Sequence, residues 1–82
     1  MQYEIILGGS GRWVAREVIE MYPNGKVAKR GRKFWGHCPK SAGSQQIDVI
    51  KRQLRRQIDG EIPTGVAHTL NGGKVWIEEV PA

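Results

Sequence analysis

One stretch dominates what this chain can become: Ser44 to Asp59, SQQIDVIKRQLRRQID. At about 100° per residue, Ile47, Ile50, Leu54 and Ile58 fall on one stripe, with Asp48, Arg52, Arg55, Arg56 and Asp59 on the other side. The spacing predicts a surface helix over residues 44–59 lying on a core. Ser44 is an N-cap residue type, Asp48 suits the positive end of the helix dipole, and Arg55 and Arg56 suit the negative end. Gly60 follows as the residue that takes positive φ just past the end. Burying four aliphatic side chains is worth on the order of 6–12 kcal/mol before conformational entropy is subtracted, so whatever lies beneath this stripe is the hydrophobic core.

The rest of the chain must supply the surface on which that helix rests. Tyr3 to Leu7 is a short strand with Tyr3, Ile5 and Leu7 on one face, ended by Gly8, Gly9, Ser10 and Gly11. EIILGGSGRWVAREV has a superficial likeness to the strand, glycine turn and helix of dinucleotide sites. Val14 stands where the third glycine belongs, and a glycine-rich hairpin turn explains the same letters. Arg12 to Tyr22 fits two readings. Its apolar spacing suits a helix, but its content of Trp13, Val14, Val18, Ile19 and Tyr22 suits a strand. Tyr22-Pro23-Asn24-Gly25-Lys26 is hairpin chemistry: the proline presets φ, and the asparagine and glycine supply the turn. Folding about it sets Met21 against Val27, Val14 against Phe34 and Trp13 against Trp35.

His37 to Gly43 reads as a loop leading into the helix, and Asp59 to Thr64 as a connection broken by Pro63. Val66 to Leu70 and Lys74 to Val80 read as a second hairpin about Asn71-Gly72-Gly73. In its last strand Val75, Ile77 and Val80 are expected to face the core, with Trp76 and Glu78 pointing away. The fold class that follows is α+β: residues 1–82 form one small domain, a small antiparallel sheet with one main helix (44–59) packed on one face, in the order βββαββ. The alternative is a ferredoxin-like βαββαβ order with residues 11–22 helical and Gly31 in the second turn. Three strands followed by a helix is similar in element order to the small DNA-binding domains of phage integrases and plant ethylene-response factors. That likeness concerns the fold alone.

Charge carries most of what the sequence offers on function. The net charge is +5 over 82 residues, but between residues 26 and 56 ten cations (Lys26, Lys29, Arg30, Arg32, Lys33, Lys40, Lys51, Arg52, Arg55 and Arg56) face the single acid Asp48. Both flanks are acidic. The stretch KVAKRGRKFWGHCPK adds Phe34 and Trp35 for stacking, the composition of a nucleic-acid surface. Lysine also protects sheet edges, and Asp48 with Arg52 and Arg55 with Asp59 are helix-stabilising i,i+4 pairs. Arg52 and Arg56 repel one another at i,i+4, which an anionic partner would relieve. Arg12 and Arg16, in their acidic neighbourhood, are expected to contribute little.

Other chemistry is poorly served. One cysteine, Cys38, excludes an internal disulfide and points to a reducing compartment. His37, Cys38 and His68 lack the spacing and number of a zinc site, and neighbouring residues such as His37 and Cys38, or Glu78 and Glu79, diverge on a strand. No enzyme, cofactor or metal is expected. MQYEIIL lacks a basic leader, and no apolar run approaches a membrane span, so the expectation is a soluble, unprocessed, cytoplasmic protein without a membrane partner. The functional expectation is a small nucleic-acid-binding module (DNA or RNA) using the 26–40 stretch, Trp35 and the outer helix face. The alternative is a phage-type accessory or inhibitory protein, such as an anti-CRISPR or transcription inhibitor, that engages an acidic surface of a host protein complex. Monomer and homodimer are both compatible with this sequence.

Overall fold

The computed structural model describes residues 1–63 and 70–81, apart from the side chain of Ser44. Strands β1 (Gln2–Leu7), β2 (Arg12–Met21) and β3 (Val27–His37) run as a meander. A 3₁₀ segment (Lys40–Gln45), helix α1 (Gln46–Ile58) and strand β4 (Lys74–Glu79) follow. All neighbours are antiparallel, in the order β3-β2-β1-β4. This is the expected α+β arrangement of an antiparallel sheet with one helix. The proposed strand at Val66 to Leu70 lies almost wholly outside the described residues.

The ferredoxin-like alternative fails at β2, where ten residues are extended rather than helical. Local turn chemistry decides the matter. The Tyr22 amide donates to the Lys26 carbonyl and the Gly25 amide to that of Tyr22, while Asn24 Oδ1 accepts from the Lys26 amide and Gly25 takes a φ of 86°. Gly31, a turn in that alternative, sits inside β3, where a Cβ would strike the Glu17 carboxylate. The glycine turn after β1 leads into a strand, unlike the turn of a dinucleotide site, and Gly11 has a φ of 81° there.

Tyr3, Ile5, Trp13, Ala15, Phe34, Cys38, Ile50, Leu54 and Val80 form the core beneath the helix. Tyr3 meets Phe34 edge-on with ring centroids 5.8 Å apart, a favoured aromatic geometry. The helix is shorter than expected, because residues 40–45 already turn as 3₁₀ and Gly43 (φ 57°) kinks the backbone. The cap position is therefore Gln45, not Ser44. The far end is as read, with Asp59 at the C-cap and Gly60 at φ 78°.

The buried stripe is also rotated. Ile50 and Leu54 are buried and Ile58 half-buried, but Ile47 is exposed and Gln57 is buried instead. The cause lies in β3, which is an edge strand with carbonyls to satisfy. Gln53 Nε2 donates to the His37 carbonyl at 2.7 Å and Gln57 Nε2 to that of Trp35 at 2.8 Å. Gln53 Oε1 accepts from the Trp13 indole N–H at 3.2 Å. Gly36 makes this approach possible, since a Cβ there would collide with Gln53 and with the Trp13 ring.

Two register expectations are corrected. Met21 does pair with Val27, but Val14 pairs with Trp35, Ala15 with Phe34 and Trp13 with Gly36. Irregularities between Arg16 and Met21 shift the ladder by one residue, and such bulges bend and twist the strand that carries them. In β4, Trp76 is packed against the core and Val75 and Ile77 are exposed, the reverse of the expectation, while Val80 is buried as expected. Val80 shares its parity with Trp76 and Glu78. Glu78 is tolerated on the helix side because Lys51 Nζ pairs with it at 2.7 Å.

Candidate nucleic-acid interface

Strand alternation turns the residues between the core positions to the face that carries no helix. The register builds that face in rows. One row runs Val75, Ile6, Val14, Trp35; the next runs Ile77, Glu4, Arg16, Lys33. The first row is apolar and ends in an indole. The second holds one acid, whose carboxylate is taken by Arg30 at 3.0 and 3.3 Å. Arg16 and Lys33, opposite one another across β2 and β3, have no acidic partner among the described residues.

The distal part of the β2–β3 hairpin curls over this face. Gly25, Lys26, Val27 and Arg30 line a cleft of about 420 Å³ together with Glu4, Val75, Trp76 and Ile77. In a flat sheet of this strand order, β3 and β4 would stand two strands apart. They share a cleft because the bulged ribbon bends back across β1. The remaining ribbon surface is unusually apolar for an exposed arm: Ile19, Met21 and Tyr22 are 54%, 36% and 57% exposed.

The ten cations among the eleven site residues expected from the sequence divide into two sets of five. Arg30 pairs with Glu4, Arg32 with Glu17, Lys51 with Glu78, Arg55 with Asp59 and Arg56 with Glu61. Arg55 also donates to the Pro81 carbonyl, and the Arg32 guanidinium lies 5.4 Å from the Phe34 ring centroid. These five cations are engaged in ion pairs within the chain. Lys26, Lys29, Lys33, Lys40 and Arg52 have no acidic partner among the described residues. Trp35 lies half-buried on the open face, whereas Phe34 belongs to the core. The helix cations lie on the other side of the sheet from Arg16 and Lys33, so the basic stretch and the helix do not form one continuous surface.

Sequence reasoning missed Arg16, Val75 and Ile77. The alternation of β4 could have flagged the last two, because Trp76 and Val80 share a parity. Arg16 looked neutralised by nearby acids in sequence, and only the pairing with β3 sets it beside Lys33.

The other candidate groups are occupied structurally. Cys38 is buried, its thiol donates to the Gly11 carbonyl at 3.3 Å, and burial raises its pKa above the usual value of a thiol. It is the opposite of an activated nucleophile. Among the described residues no three His, Cys, Asp or Glu gather to hold a metal; His68 lies outside them. No helix among the described residues is long and apolar enough to cross a membrane.

The chain matches no known family model, no curated protein and no solved structure at a level that would signify common descent.

Proposed function

We propose that this protein is a small, non-enzymatic, cytoplasmic nucleic-acid-binding module whose open sheet face and hairpin hold phosphates. The supporting observation is the row in which Arg30 neutralises Glu4, leaving Arg16 and Lys33 to present their charge beside Trp35. Lys26 and Lys29 extend the positive charge along the hairpin. Lys40 and Arg52 stand apart from this face and are secondary. The buried thiol of Cys38 fits a reducing compartment.

Binding to DNA and RNA measured against salt concentration tests the reading. Four phosphates neutralised by Lys26, Lys29, Lys33 and Arg16 should give a log–log slope of roughly −3 to −4, and Arg16→Gln with Lys33→Gln should flatten it by about 2. Undetectable binding of a folded sample at low salt would refute it. A second reading, an accessory or inhibitory protein that docks on an acidic surface of a host complex, is favoured by the exposed Ile19, Met21 and Tyr22 beside Lys26 on the hairpin.

A further inference from the structure

We propose that the open face takes a single strand of nucleic acid rather than a duplex, with one base seated in the cleft between the curled hairpin and β4. This rests on the reading of the protein as a nucleic-acid-binding module and names the form of nucleic acid it selects. A face that only tracks the phosphates of a duplex has no use for an apolar floor, because the base faces of a duplex are stacked and hidden. Here Val75 and Ile77 are 57% and 37% exposed, Val75 in the row of Ile6, Val14 and Trp35 and Ile77 in the row of Glu4, Arg16 and Lys33. Ile6 and Trp35 are half-buried and Val14 is 5% exposed, so the apolar surface open to a ligand is centred on Val75 and Ile77. Unstacked bases, which DNA and RNA single strands share, are the anionic partner's apolar component, and they gain by leaving water for such a floor.

Charge is arranged to suit the same occupant. The cleft of about 420 Å³ is floored by Val75 and Ile77 and walled by Lys26 and Arg30, and its volume lies within the range of small-ligand sites. Its one acid, Glu4, is held by Arg30 at 3.0 Å, so Lys26 sets the net charge of the rim. Arg16 and Lys33 lie beyond Glu4 in the same row. A strand laid across the face from Trp35 to β4 meets cations along its backbone and apolar side chains under its bases.

The test compares a short oligothymidine, an oligouridine and a duplex of the same length by fluorescence anisotropy at low salt. The unsubstituted protein should bind the single strands about tenfold more tightly than the duplex. Val75→Thr with Ile77→Thr keeps the β-branched shape and the charge. It should lower single-strand affinity about tenfold, the scale of losing one base contact, and leave duplex affinity within about twofold. Circular dichroism confirms the fold of the variant, and amide shifts in β4 during a titration with oligothymidine provide a second readout that needs no variant. Equal or tighter binding of the duplex, or β4 amides that do not move while oligothymidine binds, would overturn this inference and leave the proposed function standing. Absence of binding to all three probes by a folded sample would overturn both.

Discussion

The two faces of this sheet are made from alternate residues of the same strands, yet they do different work. Beneath the helix, Tyr3, Ile5, Trp13, Ala15 and Phe34 are sealed from water, and the acid Glu17 is paired with Arg32. On the opposite face Arg16 and Lys33 have no acidic partner among the described residues, and Val75 and Ile77 of β4 are exposed. One face contributes stability because its large apolar side chains are packed into one core. The other leaves Val75 and Ile77 exposed, the feature on which the proposed binding face rests. The hairpin shows the same division along its length, well packed where Gly36 meets the helix and bulged where it curls away.

Substitutions should separate the two faces, and the largest effect should come from the helix. Leu54 is fully buried, so Leu54→Ala should cost about 2–5 kcal/mol. A domain of this size has roughly 3–5 kcal/mol to lose, so the expected variant is largely unfolded; a melting temperature within a few degrees of the parent would break the comparison. Next comes Gly36→Ala, whose Cβ would collide with Gln53 and Trp13. Overpacking there should cost about 1–3 kcal/mol in urea denaturation, whereas Gly9→Ala, with nothing near its Cβ, should be close to neutral.

Alkaline pH probes the covered face without mutation. Burial raises the pKa of Cys38 above 9.0 and, against the opposing effect of nearby Arg32, that of Tyr3 above 10.0. The unfolded chain therefore releases both protons first, so stability falls as pH rises through the ordinary thiol range and then the ordinary phenol range, and both contributions fade well below those ranges. Cys38→Ala should remove the first step in a series of chemical denaturations across that range. The smallest effect belongs to the open face. Val75→Thr and Ile77→Thr should each change stability by less than about 0.5 kcal/mol, while Ile5→Val in the core should cost about 0.5–1.5 kcal/mol.

Much of this was legible in the residues. Leu54 and Ile50, the Asn24-Gly25 turn and the Gly60 terminus act within a few residues of chain, and local spacing reveals them. The hairpin register was not legible, because the irregularities between Arg16 and Met21 leave the ladder beyond them displaced by one position and change which residues meet. The assignment of β4 turned on three-dimensional facts of the same kind. Trp76 needed room against the core, and Glu78 needed Lys51. The candidate interface suffered most from this, since its parts come from four strands and its cleft from the bend of a ribbon.

The sequence by itself determined the α+β class, the helix near residues 44–59, the Asn24-Gly25 turn and the concentration of positive charge in the middle of the chain, while leaving residues 12–22 open between strand and helix. Those follow from periodicity, turn chemistry and composition, which are local. Apart from the i,i+4 pair of Arg55 with Asp59, tertiary structure decided which cations are spent in ion pairs, and it alone decided which side of β4 meets the core and that Arg16 stands beside Lys33. Those outcomes depend on register, and register is set by cross-strand packing between residues far apart in the chain.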